Sequence, residues 1–217
     1  MAEQKVAQED FDFTSAHPAV FLDLFEARAF KDKAGKEKGE AKFGAQLLLP
    51  TDRTQGDLKA LRETVARVAT TEWPGINLGS LHMPWENGTD MADRYAAAGK
   101  PREFYRGYTV LKTKSQFKPL LAFVDGTQIV DYTPVVEVKY PPKSVFYPGV
   151  RAIVGVKLVA YDGTGGKGIT AYLTAFLSTR KGDPIGSTQP SLKDRFAGVV
   201  GVQTEEDPTA GGSPSEW

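Results

Sequence analysis

The chain has 217 residues, of which 27 are basic and 27 acidic, so its formal net charge is zero. This length can bury one sizeable core, and the absence of cysteine excludes disulfides and thiol catalysis. No apolar run approaches the roughly 18 residues that span a bilayer, and the polar, acidic N-terminus does not resemble a signal peptide. We therefore expect a cytoplasmic protein with no membrane partner.

The charges are distributed unevenly along the chain. Residues 1–26 carry six acidic residues against one base, Lys5, and residues 203–217 carry four acidic residues and no base. The body between them, residues 27–202, has 26 basic and 17 acidic residues. A basic body with acidic ends suggests an anionic partner, although chance variation of the surface would produce the same pattern.

The first 50 residues predict an arm followed by a β-hairpin. Residues 1–16 are polar and predict a loose N-terminal arm. An alternating apolar stretch then runs from Pro18 to Phe30, and a second apolar stretch, KFGAQLLLP, ends at Pro50. The charged, glycine-punctuated segment KDKAGKEKGE lies between them. Two paired strands joined by this turn are the simplest interpretation.

The next segment changes period. Leu58, Leu61 and Val65 recur at helical spacing, which predicts one helix over residues 55–72. Residues 73–103 follow with little periodicity and predict a long loop insertion. Loops of this length in a compact domain are usually functional or partly structured.

Strand patterns then continue to about residue 180. The glycine-rich segment DGTGGKG joins two long apolar strands, 149–163 and 168–183, as a hairpin, whereas Pro134 predicts a break within residues 127–141. Mainly β structure with glycine turns favours an antiparallel barrel of the oligonucleotide-binding (OB) fold type, with one helix, over residues 17–199. An open sandwich is the alternative.

The C-terminal residues 200–217 are small, polar and acidic, and they predict a disordered tail. Its candidate functional residues are Glu205, Glu206, Asp207, Glu216 and Trp217. Such a tail can compete with a nucleic acid for the basic body, or it can present its terminal aromatic residue to a partner. A tail that only keeps the protein soluble is the other interpretation.

Residues 100–118 hold six basic residues against one acidic residue, Glu103. If residues 104–114 form one strand, cations and an aromatic ring share one face, as single-strand binding requires. A solvated strand face would alternate in the same way. The candidate DNA-binding residues are Arg102, Tyr105, Arg106, Tyr108, Lys112, Lys114, Phe117 and Lys118, with Lys143, Tyr147 and Arg151 from a second segment that interleaves rings and charges.

Catalytic and metal-binding patterns are weak. Glu86, Asp90 and Asp93 could hold a hard cation in a small nuclease, but their spacing is not that of an EF-hand and such clusters are mostly surface turns. The glycines of DGTGGKG do not match a phosphate-binding loop, because Gly168 follows Lys167 where Ser or Thr is required. We expect no enzyme activity, no cofactor and no metal.

The order of these motifs resembles that of phage-encoded single-stranded DNA-binding proteins over about residues 15–200. The matching pieces are the strand with Phe21, Leu22 and Phe25, then KFGAQLLLP, FYRGYTVLKTKS, YPGVRAIVGVKLVAY with its GKGI turn, RKGDPIG, and the short segment at Phe196. The resemblance implies an OB-fold core that coats single strands cooperatively during phage DNA replication or recombination, in the host cytoplasm.

The same resemblance implies a tail that recruits replication proteins and no enzyme activity. A homo-oligomer is a further possible assembly. The alternative that the residues leave open is a phage structural or assembly β protein that does not bind DNA.

Overall fold

The structure is a computed structural model, and it describes residues 6–31, 37–51 and 56–185. The predicted disordered tail, residues 200–217, lies outside the described residues, as do residues 32–36 and 52–55. Among the described residues, no helix has the length and apolar character that crossing a membrane would require.

Nine strands form one sheet in the described part of the chain. They are β1 (Gln8–Asp12), β2 (His17–Lys31), β3 (Glu37–Pro50), β4 (Trp85–Asn87), β5 (Tyr108–Ser115), β6 (Leu120–Asp125), β7 (Gln128–Asp131), β8 (Arg151–Gly163) and β9 (Gly166–Ser178). Five of them close a ring, because β2 pairs with β3, β3 with β5, β5 with β9, β9 with β8, and β8 with β2.

This ring is OB-like, and it confirms the predicted mainly β fold. The ring strands in chain order are β2, β3, β5, β8 and β9, so β3 and β5 are the second and third. In OB folds, the face of these two strands and the neighbouring loops bind oligonucleotides. The ring is not wholly antiparallel as predicted, because β9 runs parallel to both β5 and β6.

The described residues contain four α-helices, and the prediction of a single helix is therefore wrong. They are α1 (Asp57–Glu72), α2 (Gly88–Ala97), α3 (Pro134–Lys139) and α4 (Pro142–Val145). Helix α1 confirms the predicted helix, and its buried face packs into the ring's core. The other three are too short to show a helical period in the sequence. Pro134 begins α3 because proline suits the first turn of a helix.

The predicted loop at residues 73–103 is largely structured. It contains a 3-10 turn at Leu78–Ser80, strand β4 and helix α2. The side chain of Asn87 caps α2 by accepting hydrogen bonds from the backbone of Thr89 at 2.8 Å and Asp90 at 3.3 Å. Asn87 is a typical helix-capping residue, but the sequence around it has little periodicity and therefore does not predict a helix.

The prediction that residues 1–16 form a loose arm is wrong for Gln8–Asp12, because these residues form strand β1. Strand β1 pairs antiparallel with β8, with Phe11 opposite Val156. The next aromatic residue, Phe13, is buried, and its ring packs edge-on against that of Phe11 with 5.0 Å between ring centres. The two rings fix β1 to the core despite its acidic composition.

Candidate nucleic-acid interface

The outer face of β3 and β5 has an open, cationic half. The register places Gly44 opposite Lys114 and Gln46 opposite Lys112, and directly paired residues point to the same side of a sheet. Leu47 on the other side is fully buried, so this pair of lysines points outward. The predicted common face of Lys112 and Lys114 is confirmed.

Beside these lysines, Gly44 leaves the backbone of β3 without a side chain. A Cβ atom at this position would lie 2.4 Å from the carbonyl oxygen of Thr113, so the two strands leave no room for a side chain. On its other side Gly44 pairs with Asp23 of β2. Burial raises the pKa of Asp23, and the charge of Arg28, whose Nε lies 3.1 Å from the carboxylate, partly opposes this rise. Bare backbone of this kind lets a ligand approach closely.

The other half of the face is covered. Helix α2 and the 3-10 turn Glu103–Tyr105 pack there on Val20, Leu48 and Val110 and make a second, smaller core. The side chain of Tyr105 has 0% exposure, and its hydroxyl donates a hydrogen bond of 2.6 Å to Oε1 of Gln46.

Burial raises the pKa of Tyr105 to about 12, against the smaller opposing effect of Arg102. The predicted contact between Tyr105 and DNA is therefore contradicted, because the ring is not accessible to a base. Its ring instead supports neighbouring rings of the same cluster, since those of Phe21 and Tyr95 stack on it with centres 6.4 Å and 5.9 Å away.

Arg102 lies between two aromatic rings at the border of the open half. Its guanidinium carbon is 4.4 Å from the ring centre of Phe21 and 4.1 Å from that of Tyr95. The pairing of β2 with β3 is irregular between Val20 and Asp23. Phe21 lies at this irregularity, has a φ of 51° and is 39% exposed. A bulge of this kind redirects a side chain outward.

Phe21 and Tyr95 are members of the site that the sequence pattern does not predict. The two residues are far apart in the chain, and the pattern around Phe21 predicts an ordinary strand. An aromatic residue in β2 whose neighbours on both sides are core residues was the only signal, and it does not reveal a bulge.

Acidic side chains bind three of the cations near this face. Glu86 on β4 binds both Lys112 and Arg94. Burial raises the pKa of Glu86, but the bonds from these two cations outweigh this effect and hold the pKa below its usual value. Arg106 binds Glu103 at 2.5 Å and Asp93 at 2.7 Å.

Arg106 does not share the strand face of Tyr108, which corrects the predicted arrangement. The strand begins only at Tyr108, because the chain forms the 3-10 turn just before Arg106. Tyr108 itself is half-buried against the second core. Phe117, with 81% exposure, and the exposed Lys118 follow the end of β5, where Lys118 Nζ lies 5.8 Å from the ring centre of Phe25.

Lys143, Tyr147 and Arg151 have their own contacts, apart from those of the β5 lysines. Lys143 is exposed on α4, the Tyr147 hydroxyl donates to the Gly182 carbonyl at 3.1 Å, and the Arg151 guanidinium donates to the Ala16 carbonyl at 2.9 Å. No described hydrogen bond, ion pair or ring contact joins these three residues to the lysines of β5. The tail residues Glu205, Glu206, Asp207, Glu216 and Trp217 lie outside the described residues.

Within the described ranges, no group of three histidine, aspartate or glutamate side chains is placed to hold a metal ion. Glu86 and Asp93, two members of the acidic cluster in the sequence, are instead paired with arginine or lysine. The carboxylates near the face are thus partners of its cations.

Solved structures of a phage protein share this fold. The single-stranded DNA-binding protein from bacteriophage Enc34 in complex with ssDNA has a TM-score of 0.58 and 16% identity, over 83% of this chain and 90% of that chain. A C-terminal truncation of the Enc34 protein has a TM-score of 0.58 and 15% identity, over 85% of this chain and 95% of that chain. No curated protein sequence matches the chain.

A protein-family profile extends the comparison to the sequence. The family described as "Enterobacter phage Enc34, ssDNA-binding protein" matches residues 17–208. This range includes the whole ring, the segment that covers half of its outer face, and part of the acidic tail. The chain belongs to the family of the Enterobacter phage Enc34 ssDNA-binding protein.

Proposed function

We propose that this chain binds single-stranded DNA, without sequence preference, on the open half of the β3–β5 face. The observation that carries the proposal is the adjacent placement of Lys112 and Lys114 on the face that OB folds use for oligonucleotides. Family membership supports it, since the family is described by ssDNA binding and one member has been solved with ssDNA. Binding would serve phage DNA replication or recombination in the host cytoplasm.

Each part of the face has a role in this proposal. Lys112 and Lys114 neutralise backbone phosphates, which makes affinity fall steeply with salt. The exposed ring of Phe21 stacks on a base, a contact worth about 1–3 kcal/mol. The absence of a side chain at Gly44 lets the DNA strand approach the backbone of β3 closely. Because phosphate and stacking contacts do not distinguish bases well, the binding has little sequence preference.

Further predicted residues would extend the DNA path. Phe117 and Lys118 lie directly after β5 and continue it in the chain, so an exposed ring and a cation follow the two lysines. Lys143, Tyr147 and Arg151 would form a separate contact for a longer strand. The role of a phage structural or assembly protein is not favoured, because the family is one of ssDNA-binding proteins rather than of structural proteins.

The acidic tail would regulate this site. Glu205, Glu206 and Asp207 resemble a short run of phosphates in charge, so they would compete with DNA for the basic body. Trp217, beside Glu216, would enter the pocket of a replication protein. A homo-oligomer on DNA would form by contacts between neighbouring copies.

The direct test is a titration of the full chain with an oligo(dT) strand at several salt concentrations. Tryptophan fluorescence and anisotropy monitor the titration and give the affinity at each salt concentration. The double variant Lys112→Glu/Lys114→Glu should lose more than about tenfold in affinity and show a shallower salt dependence. The matched control is Lys59→Glu/Arg62→Glu on α1, which makes the same change in charge outside the face. Equal losses in both double variants would contradict the proposed face.

A further inference from the structure

Glu86 connects the segment that covers the outer face to the cations of that face. The residue lies on β4 opposite Val110 of β5, so it points to the same outer side as Lys112. One carboxylate oxygen of Glu86 binds Nζ of Lys112, and the other oxygen binds the guanidinium of Arg94 on α2. The carboxylate thus uses both oxygens on cations.

These ion pairs are accessible to solvent and to a ligand. The side chains are 38% exposed for Glu86, 32% for Lys112 and 66% for Arg94. Among the described residues, Lys112 and Arg94 form no ion pair with any other acid. A carboxylate that uses two oxygens on one lysine and one arginine presents the same chemistry as two oxygens of a phosphate diester.

The position of the covering segment does not depend on this carboxylate. Strand β4 pairs with β5 through its backbone, and the backbone N–H of Lys112 donates to the carbonyl of Pro84 at 2.8 Å. The side chain of Asn87 caps the N-terminus of α2, and the buried residues Met91 and Ala92 pack the helix into the second core. Exposed ion pairs contribute little to stability, so the Glu86 contacts are replaceable.

We propose that Glu86 is a built-in substitute for a DNA phosphate. In the free protein it occupies Lys112 and Arg94, and on binding it yields both cations to the sugar–phosphate backbone. This inference rests on the proposed function and adds two features to it. Arg94 becomes a phosphate contact, and Glu86 becomes the residue that limits affinity at this site.

The variant Glu86→Gln should bind oligo(dT) roughly three- to tenfold more tightly at low salt, which is the effect of removing one or two exposed ion pairs. Its affinity should also fall more steeply with salt, because binding then forms the two phosphate ion pairs without breaking any ion pair to Glu86. The matched control is Asp90→Asn, which makes the same change in charge four residues later. Asp90 is exposed and forms no ion pair among the described residues, so its variant should stay within about twofold of the wild type.

A double-mutant cycle separates direct competition from a general effect of charge. Lys112→Gln should cost more affinity in the Glu86→Gln background than in the wild type, because only then is Lys112 free before binding. The inference is overturned if Glu86→Gln weakens binding, if it matches Asp90→Asn, or if the two substitutions are additive. Failure of the proposed function looks different, since the wild type and every variant would then fail to bind oligo(dT).

Discussion

The guanidinium carbon of Arg102 lies 4.4 Å from the ring centre of Phe21, on the border between the covered and open halves of the β3–β5 face. The cation holds one side of the ring, and Phe21 as a residue remains 39% exposed. An aromatic platform that is held by an arginine is preorganised for stacking, because little side-chain freedom is lost when a base arrives.

We expect Phe21→Leu to lower the affinity for oligo(dT) by about tenfold, because leucine fills the space but offers no π-face for stacking. The matched control is Tyr161→Leu at the β8–β9 hairpin, since Tyr161 is also 39% exposed. Anisotropy titrations at fixed salt measure both variants. Equal losses of affinity in the two variants would argue against a specific role of Phe21.

We expect Gly44→Ala to lower the free energy of unfolding by about 1–3 kcal/mol, the usual cost of overpacking. The added Cβ atom would lie 2.4 Å from the Thr113 carbonyl oxygen, and strand backbone has no cheap way to move aside. Gly163→Ala is the control, because a Cβ atom there meets no heavy atom within 4 Å. Thermal and denaturant unfolding compare the two, and similar stabilities would show that β3 and β5 separate easily at Gly44.

Asp57 at the start of α1 is a buried carboxylate that joins the helix to the segment before β2. It is buried, and it accepts hydrogen bonds from the backbone and hydroxyl of Thr14, from the backbone of Ser15 and from Nε2 of His17. Desolvation raises the pKa of Asp57, but these hydrogen bonds outweigh it and leave the pKa below the usual value. The carboxylate form is therefore favoured in the folded state.

We expect Asp57→Asn to lose about 1–3 kcal/mol of stability at neutral pH. A carboxyl whose pKa is lowered by folding adds stability above its unfolded pKa of about 3.9, and this stability is lost as pH falls through the folded pKa. The wild type should thus approach the variant in stability below about pH 4. Urea unfolding from pH 2 to pH 7 tests this, and a constant difference between the two proteins would refute it.

We expect deletion of residues 203–217 to tighten binding to oligo(dT), most strongly at low salt, because the competing acids are removed. The control replaces Glu205, Glu206 and Asp207 by glutamine or asparagine and keeps the length of the chain. Both forms should bind more tightly than the wild type. If neither does, the tail does not compete for the DNA face.

The sequence was sufficient for the elements that carry a strong local period. The spacing of Leu58, Leu61 and Val65 predicted α1, and the glycine turn after Tyr161 predicted the β8–β9 hairpin, because both signals arise within one element. The parallel pairings of β9 with β5 and β6 could not be predicted, since they join strands that are distant in the chain.

The site was predicted only in part for a similar reason. The alternation of β5 was enough to place Lys112 and Lys114 on one face. The burial of Tyr105 depends on α2, which packs over it from another segment, and the exposure of Phe21 depends on a bulge in β2. The partner of Lys112, Glu86, is brought near by the pairing of β4 with β5 rather than by sequence proximity.

The closure of the ring depends on β8 and β9, which are the last strands of the ring to be synthesised. β2 meets β8 where His17 pairs with Ala152, and Arg151 reaches back to Ala16, 135 residues earlier. β2 and β3 are translated before β8 and β9. The apolar side chains that the folded ring buries, such as Leu24 and Leu47, therefore lack part of their core until β8 and β9 are present. The ring can therefore be completed only after β9 has been synthesised, because β9 pairs with both β5 and β8.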